Sequence, residues 1–198
     1  RIVMDYIGVA QAEGETGVLE FVGLFTSNAY TQSPGSIPLI RRKIAAVVAA
    51  SGYPPQSHSG KALMHVLETY PRDELFQVET AALATIAAGI LKLEERPRAR
   101  LFVRDDAFGR FVSAFVYVPR DRFNSDVRQR IGAELANAYG GRILSFSPFF
   151  GESPLVRVHY VVERGAKKQP DLMKLEAAIA EICLSWDDRL ARAFDAAG

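Results

Sequence analysis

Apolar residues recur at every second position in two early stretches, IVMDYIGVAQ (2–11) and VLEFVGLFTS (18–27), with the polar, glycine-bounded EGETG between them. Period two interrupted by a turn of this composition predicts a β-hairpin. SPGSIP then breaks the pattern, and the period changes. Ile40, Ile44, Val47 and Val48 fall at helical spacing, predicting a helix over 37–50 with Ser36 as N-cap, Pro38 in the first turn and Gly52 and Pro54 as the stop. Ser59 is placed to cap a short helix ending at Thr69, and Pro71 to open a longer helical stretch to about Glu95. The block 37–95 carries no strand signal.

Beyond EERPR the order becomes strand, strand, helix, strand, strand, helix. Leu101 to Val103 and Phe111 to Val118 are joined by a polar turn ending in Gly109, the pattern of a second hairpin. The second of these runs is apolar on both faces, which predicts a central strand covered on both sides, and Pro119 ends it. A helix over 125–139 follows, with Asn124 as N-cap, Val127, Ile131, Leu135 and Ala138 on one face, and Gly140 and Gly141 as its stop. Residues 142–147 put Leu144 and Phe146 on one side of a strand. LVRVHYVV alternates, with Val156, Val158, Tyr160 and Val162 opposite Arg157 and His159, which predicts one wetter face. Asp171 caps a last helix whose stripe is Leu172, Leu175, Ile179, Ile182, Cys183, Trp186 and Leu190. The fold class is α+β: a four-stranded antiparallel sheet with two helices on one face, preceded by a hairpin and a helical connector. The expected boundaries are 1–36, 37–97 and 98–198.

RLFVRDDAFGRFVSAFVYVPRDRFNSDVR, from Arg100 onward, and YPRDELFQ, from Tyr70 to Gln77, resemble the non-catalytic N-terminal half of the large bacterial NAD-specific glutamate dehydrogenases. In that family ACT-like regulatory modules precede the catalytic domain. The resemblance implies a ferredoxin/ACT-like domain over 98–198, the closing hairpin of a truncated ACT-like module over 1–36, and a connector between them. It also implies a cytoplasmic homo-oligomer that oxidises L-glutamate to 2-oxoglutarate and ammonium with NAD. The chain opens at Arg1 inside an apparent strand, as a piece cut from a longer polypeptide does, so its partners would be the rest of that chain and its subunits.

Composition narrows the chemistry. Net charge is +1, from 24 basic and 23 acidic residues, which gives no reason to expect nucleic acid or an anionic membrane as partner. The most apolar helical stretch, Ala81 to Leu93, is too short to span a bilayer. Neither the GxGxxG turn that cradles a dinucleotide pyrophosphate nor a P-loop occurs, so no cofactor site and no catalytic residue is expected in this chain; NAD belongs to the parent enzyme. His58, His65 and His159 lack metal-ligand spacing, so no metal site is expected and solvent-facing or capping roles are favoured. Cys183, the single cysteine, lies on an apolar stripe as a structural thiol.

Nine arginines between Arg96 and Arg130 interleave with aromatic residues. Single-stranded RNA binding would use Phe115 and Tyr117 as stacking rings, but nearby aspartates offset the charge and favour a salt-bridged face or subunit contact. An ACT-like module also implies an L-amino-acid effector, which needs a cation for its carboxylate and an anion for its ammonium. Arg104, Asp105, Asp106 and Arg110, around the second hairpin turn, are the candidate effector-binding residues, with a solvated turn as the plainer reading. A stand-alone amino-acid sensor is the alternative to a regulatory segment.

Overall fold

The computed structural model describes residues 5–10, 17–165, 169–185, 187–190 and 194. The expected EGETG turn and Trp186 fall outside or largely outside them. The chain divides into two compact units, Arg1–Ala88 and Gly89–Gly198.

In the first unit β1 (Asp5–Ala10) pairs antiparallel with β2 (Val18–Gly23), placing Tyr6 opposite Val22 and Val9 opposite Leu19. The helices α1 (Ser27–Thr31), α2 (Ile40–Ser51), α3 (His58–Thr69) and α4 (Arg72–Gln77) follow, and the division between the units falls within α5 (Thr80–Glu95). Ile40, Ile44 and Val47 of α2 and Leu63, Val66 and Leu67 of α3 are buried, as their spacing requires.

Three helix boundaries differ from the expected ones. Ser36 closes a single 3-10 turn over Pro34–Ser36, its hydroxyl donating to the Ser33 carbonyl, so it does not cap α2. The chain instead enters α2 through Leu39, at φ 69° and ψ −56°, where the Ile40 N–H donates to the Pro38 carbonyl at 2.9 Å; this is a γ-turn of the rare positive-φ form. Ser57, not Ser59, caps α3 by accepting from the Gly60 N–H at 3.0 Å. The stretch opened by Pro71 is two helices, because Val78 is extended and α4 ends there. Lys43 Nζ satisfies that end, donating to the carbonyls of Leu75, Phe76 and Val78 at 3.0, 2.8 and 2.7 Å.

The second unit is built on β3 (Arg100–Asp105), β4 (Phe111–Pro119), β5 (Ile143–Phe149) and β6 (Leu155–Glu163), with α6 (Ser125–Tyr139) after β4 and α7 (Leu172–Ile182) after β6. Sheet order is β3-β4-β6-β5, with every neighbouring pair antiparallel. Thus β4-α6-β5 is a split β-α-β unit with β6 inserted between its strands, the connection of a ferredoxin-like sandwich. Both helices cover the same face. Val112, Ala114, Val116 and Val118 of β4 and Val156, Val158, Tyr160 and Val162 of β6 form one core with Val127, Ile131 and Leu135 of α6 and Leu175, Ile179 and Cys183 of α7. At the two ends of the expected stripe Leu172, the first residue of α7, and Leu190, beyond its last, are exposed.

The expected caps of both helices are present. The Asn124 side chain accepts from the Val127 N–H at 2.9 Å, Gly140 ends α6 at φ 66°, and Asp171 accepts from the Met173 N–H at 3.0 Å. Tyr160 ties sheet to helix by donating to the Arg128 carbonyl at 2.9 Å, and burial raises its phenol pKa. Two loops meet where no side chain fits: a Cβ on Gly141 would lie 1.9 Å from the Glu163 carbonyl oxygen, and one on Gly165 would lie 2.0 Å from that of Gly140.

Candidate functional site

The sheet face opposite α6 and α7 is less open than the alternation in β6 predicts. Phe111, Ser113, Phe115 and Tyr117 of β4 are all buried, and Gly89 of α5 sits so close to Phe102 that a Cβ there would meet the ring at 2.6 Å. Arg157, expected on a wetter face, is 9% exposed, its guanidinium 4.6 Å from the Phe149 ring centroid and 5.8 Å from that of Phe115. His159 is half-buried rather than solvent-facing: its Nε2 shares a 2.8 Å hydrogen bond with the Ser113 hydroxyl, and its ring stacks on Phe115 at 4.5 Å. Aromatic rings on this face therefore hold an arginine and a histidine in place. Phe115 and Tyr117, the rings that RNA binding would use, are 2% and 8% exposed and present no stacking surface to a nucleic-acid base.

The four candidate effector residues sit together at the β3–β4 turn, and the turn uses their charges. The Asp106 carboxylate accepts from the N–H groups of Phe108 and Arg110 at 3.2 and 3.1 Å and from Arg110 Nε at 2.9 Å. Burial opposes the charge on Asp106, but these bonds and the Arg110 guanidinium outweigh it and hold the carboxyl below its usual range. Asp105 faces Arg164 at 2.6 Å and Gln169 at 3.3 Å, while Arg104 Nη1 donates to the Asp105 carbonyl at 3.0 Å. The arginine-rich span is salt-bridged elsewhere too: Arg100 meets Glu176 at 2.6 Å, and Arg122 bridges Asp121 and Asp188.

A third feature had no counterpart in the sequence reading. Between the start of α6 and the edge strand β5 lies an open groove of about 410 Å³. Phe123, Phe146, Pro148 and Phe150 line it beside Asn124 and Arg128. Phe146 and Phe150 are exposed at 46% and 57%, and the Arg128 guanidinium lies 4.1 Å over the Phe146 ring. The available signal was Phe146, expected on one side of β5: it pairs with Tyr160 and so lies on the helix-covered side of the sheet, yet stays 46% exposed, while a register irregularity between Ile143 and Ser145 takes Leu144 out of simple alternation with it.

His58 and His65 are both exposed, and no cluster of metal-ligating side chains occurs among the described residues. No described helix is long and apolar enough to cross a membrane.

An antiparallel β3-β4-β6-β5 sheet with α6 and α7 on one face makes the second unit an ACT-like α+β module. Comparison with known proteins agrees: residues 100–187 match the ACT2 domain of glutamate dehydrogenase, and residues 37–96 match its helical motif 1. The chain belongs to the NAD-specific glutamate dehydrogenase family, as the part that carries its helical motif 1 and ACT2 domain. NAD-specific glutamate dehydrogenases of Halomonas elongata and Pseudomonas aeruginosa are each 37% identical to it, over 96% and 93% of the chain. That of Mycobacterium tuberculosis is 34% identical over 90%. The chain spans 12% of the length of each.

The strand-to-helix connections of the second unit do not offer a Rossmann-type dinucleotide turn. Such a turn is glycine-rich, and its backbone approaches the pyrophosphate. The β4–α6 connection, Pro119 to Asn124, has no glycine, and the β6–α7 connection has only Gly165, which is packed against the Gly140 carbonyl.

Proposed function

We propose that this chain is a regulatory and structural segment of an NAD-dependent glutamate dehydrogenase. The parent enzyme would oxidise L-glutamate to 2-oxoglutarate and ammonium in the cytoplasm, as a homo-oligomer, with NAD and the reacting groups on other parts of the polypeptide. The observation that carries the reading is the match of residues 100–187 to a glutamate dehydrogenase ACT2 domain in a chain without a dinucleotide turn. The segment's task is to favour one of two states of the parent when an effector binds, which requires that the effector distinguish them. An L-amino acid at the β3–β4 turn would exchange its own charges for the Asp105 and Asp106 pairings, using Arg104, Arg110 and the two carboxylates. The division 1–36, 37–97 and 98–198 belongs to the same reading, with the first hairpin closing an earlier ACT-like module.

Steady-state kinetics of the complete enzyme test this. Arg110→Gln should shift the concentration of amino acid needed for half-maximal response while leaving kcat at saturating glutamate unchanged. A loss of kcat with an unchanged effector response would make the segment part of the catalytic machinery and sink the regulatory reading.

A further inference from the structure

The groove beside α6 differs in chemistry from both the β3–β4 turn and the buried sheet face. Its floor is apolar, made by Phe123, Phe146, Pro148 and Phe150; Arg128 is the one cation among its lining residues, and Arg120 lies 6.0 Å over the Phe150 ring at its edge, bound to the Gly151 carbonyl. Among the described residues no carboxylate pairs with the Arg128 guanidinium, which rests on Phe146 alone at 4.1 Å. The neighbouring acids are directed elsewhere: Asp126 lies 3.6 Å from Arg130, and Asp121 binds Arg122 at 2.8 Å. The groove is therefore one-sided in charge, a cation over an apolar bed. A guanidinium stacked on a ring keeps its planar N–H edge available for a carboxylate.

The surroundings decide between anions. In the first turn of α6 the Asn124 carboxamide takes the Val127 N–H and the Asn124 carbonyl takes the Arg128 N–H, while Asp126 adds a negative charge. Ser125 also lines the groove and offers a hydroxyl, so donors alone do not exclude phosphate, but the Asp126 charge disfavours a dianion more than a monoanion. No acidic side chain lines the groove, so the ammonium of an amino acid would have no ion-pair partner. We propose that this groove binds a small monocarboxylate with an apolar or aromatic body, its carboxylate on Arg128 and its body on Phe146 and Phe150. The proposal rests on the groove alone and is independent of the effector role given to the turn.

Calorimetric titration of the 198-residue chain with phenylacetate tests it, with phenylalanine and phenyl phosphate as comparison ligands. Saturable phenylacetate binding is expected, weakened at least about tenfold in Arg128→Gln, because a charge-assisted hydrogen bond is lost. Phe150→Ser, a change at an exposed ring, should weaken it while leaving the thermal transition in place. Amide resonances of Phe146 and Phe150 should shift with the same saturation curve. No saturation below about 10 mM overturns the proposal. So does binding that Arg128→Gln leaves intact, or binding of phenylalanine or phenyl phosphate as tight as that of phenylacetate.

Discussion

Asp106 shows how one side chain closes the β3–β4 turn. Its carboxylate is nearly inaccessible and receives two backbone N–H groups and the Arg110 guanidinium. Asp106→Asn keeps the shape but removes the charge, and urea unfolding at neutral pH should show a loss of about 2 kcal/mol. The sign with pH follows from the lowered pKa: the stabilisation is present above the ordinary carboxylate range and is lost as pH falls through the lowered value. Wild type and variant should therefore converge in acid. Cys183 works at the other end of the scale. Burial pushes its thiol from 9.0 up to about 11, so the folded state holds the proton more tightly than the unfolded chain. Its contribution is intact below pH 9 and fades as pH rises towards about 11. Cys183→Ala should cost stability at neutral pH yet flatten the fall between those values in a denaturant series. A steep fall of unchanged shape would assign the alkaline limb to other groups, Tyr139 among them, whose phenol burial raises to about 12.

At the scale of elements, α6 rests on its cap and on the glycine contact at its end. Asn124→Ala removes the bond to the Val127 N–H and should cost about 1 kcal/mol by thermal unfolding. Gly165→Ala should cost more, because its new methyl meets the backbone carbonyl of Gly140 rather than a side chain able to turn away. Asn124 was legible as a cap because an Asn just before an apolar period has one local use. The close approach at Gly165 was not legible, since it joins loops far apart in sequence. The boundary of α2 was missed for a local reason and that of α4 for the same long-range one. Ser36 and Pro38 follow the statistics of a helix start, but local hydrogen bonds to Ser33 and Pro38 hold the chain in a turn until Leu39. The end of α4 depends on Lys43, 32 residues upstream of its first carbonyl partner, Leu75. In β4 a run apolar on both faces, interrupted only at Ser113, announced a strand covered on both sides. In β6 the alternation identified the core face correctly but not the other, because Phe115 and Phe149 cover Arg157 by tertiary contact. The β3–β4 turn was legible as a group of charges, whereas their mutual pairing needs the geometry of the turn. The α6 groove needs two elements brought together, which no single stretch of sequence displays.

For the whole molecule, the extent of the ACT-like unit turns on α5. The core beneath α6 and α7 is complete within residues 98–198, but the opposite face of the sheet is not. Phe102 lies against Gly89, and the ionisation of Tyr117 feels the charge of Glu94, so the last turns of α5 belong structurally to the sheet. A chain cut before Thr80 keeps this cover, whereas one cut before Arg98 leaves Phe102 and part of the β4 aromatic face to water. Losing the cover of one aromatic side chain costs about 2 kcal/mol, a substantial part of the stability of a domain this size. The shorter chain should therefore unfold at lower urea and bind a hydrophobic dye that the longer one does not. It should still retain the four-stranded sheet, visible as protected amides in β4 and β6. Equal midpoints and equal dye binding for the two chains would place the boundary at 98 and reduce α5 to a connector. A difference in the expected direction would make the last turns of α5 part of the sheet's own unit.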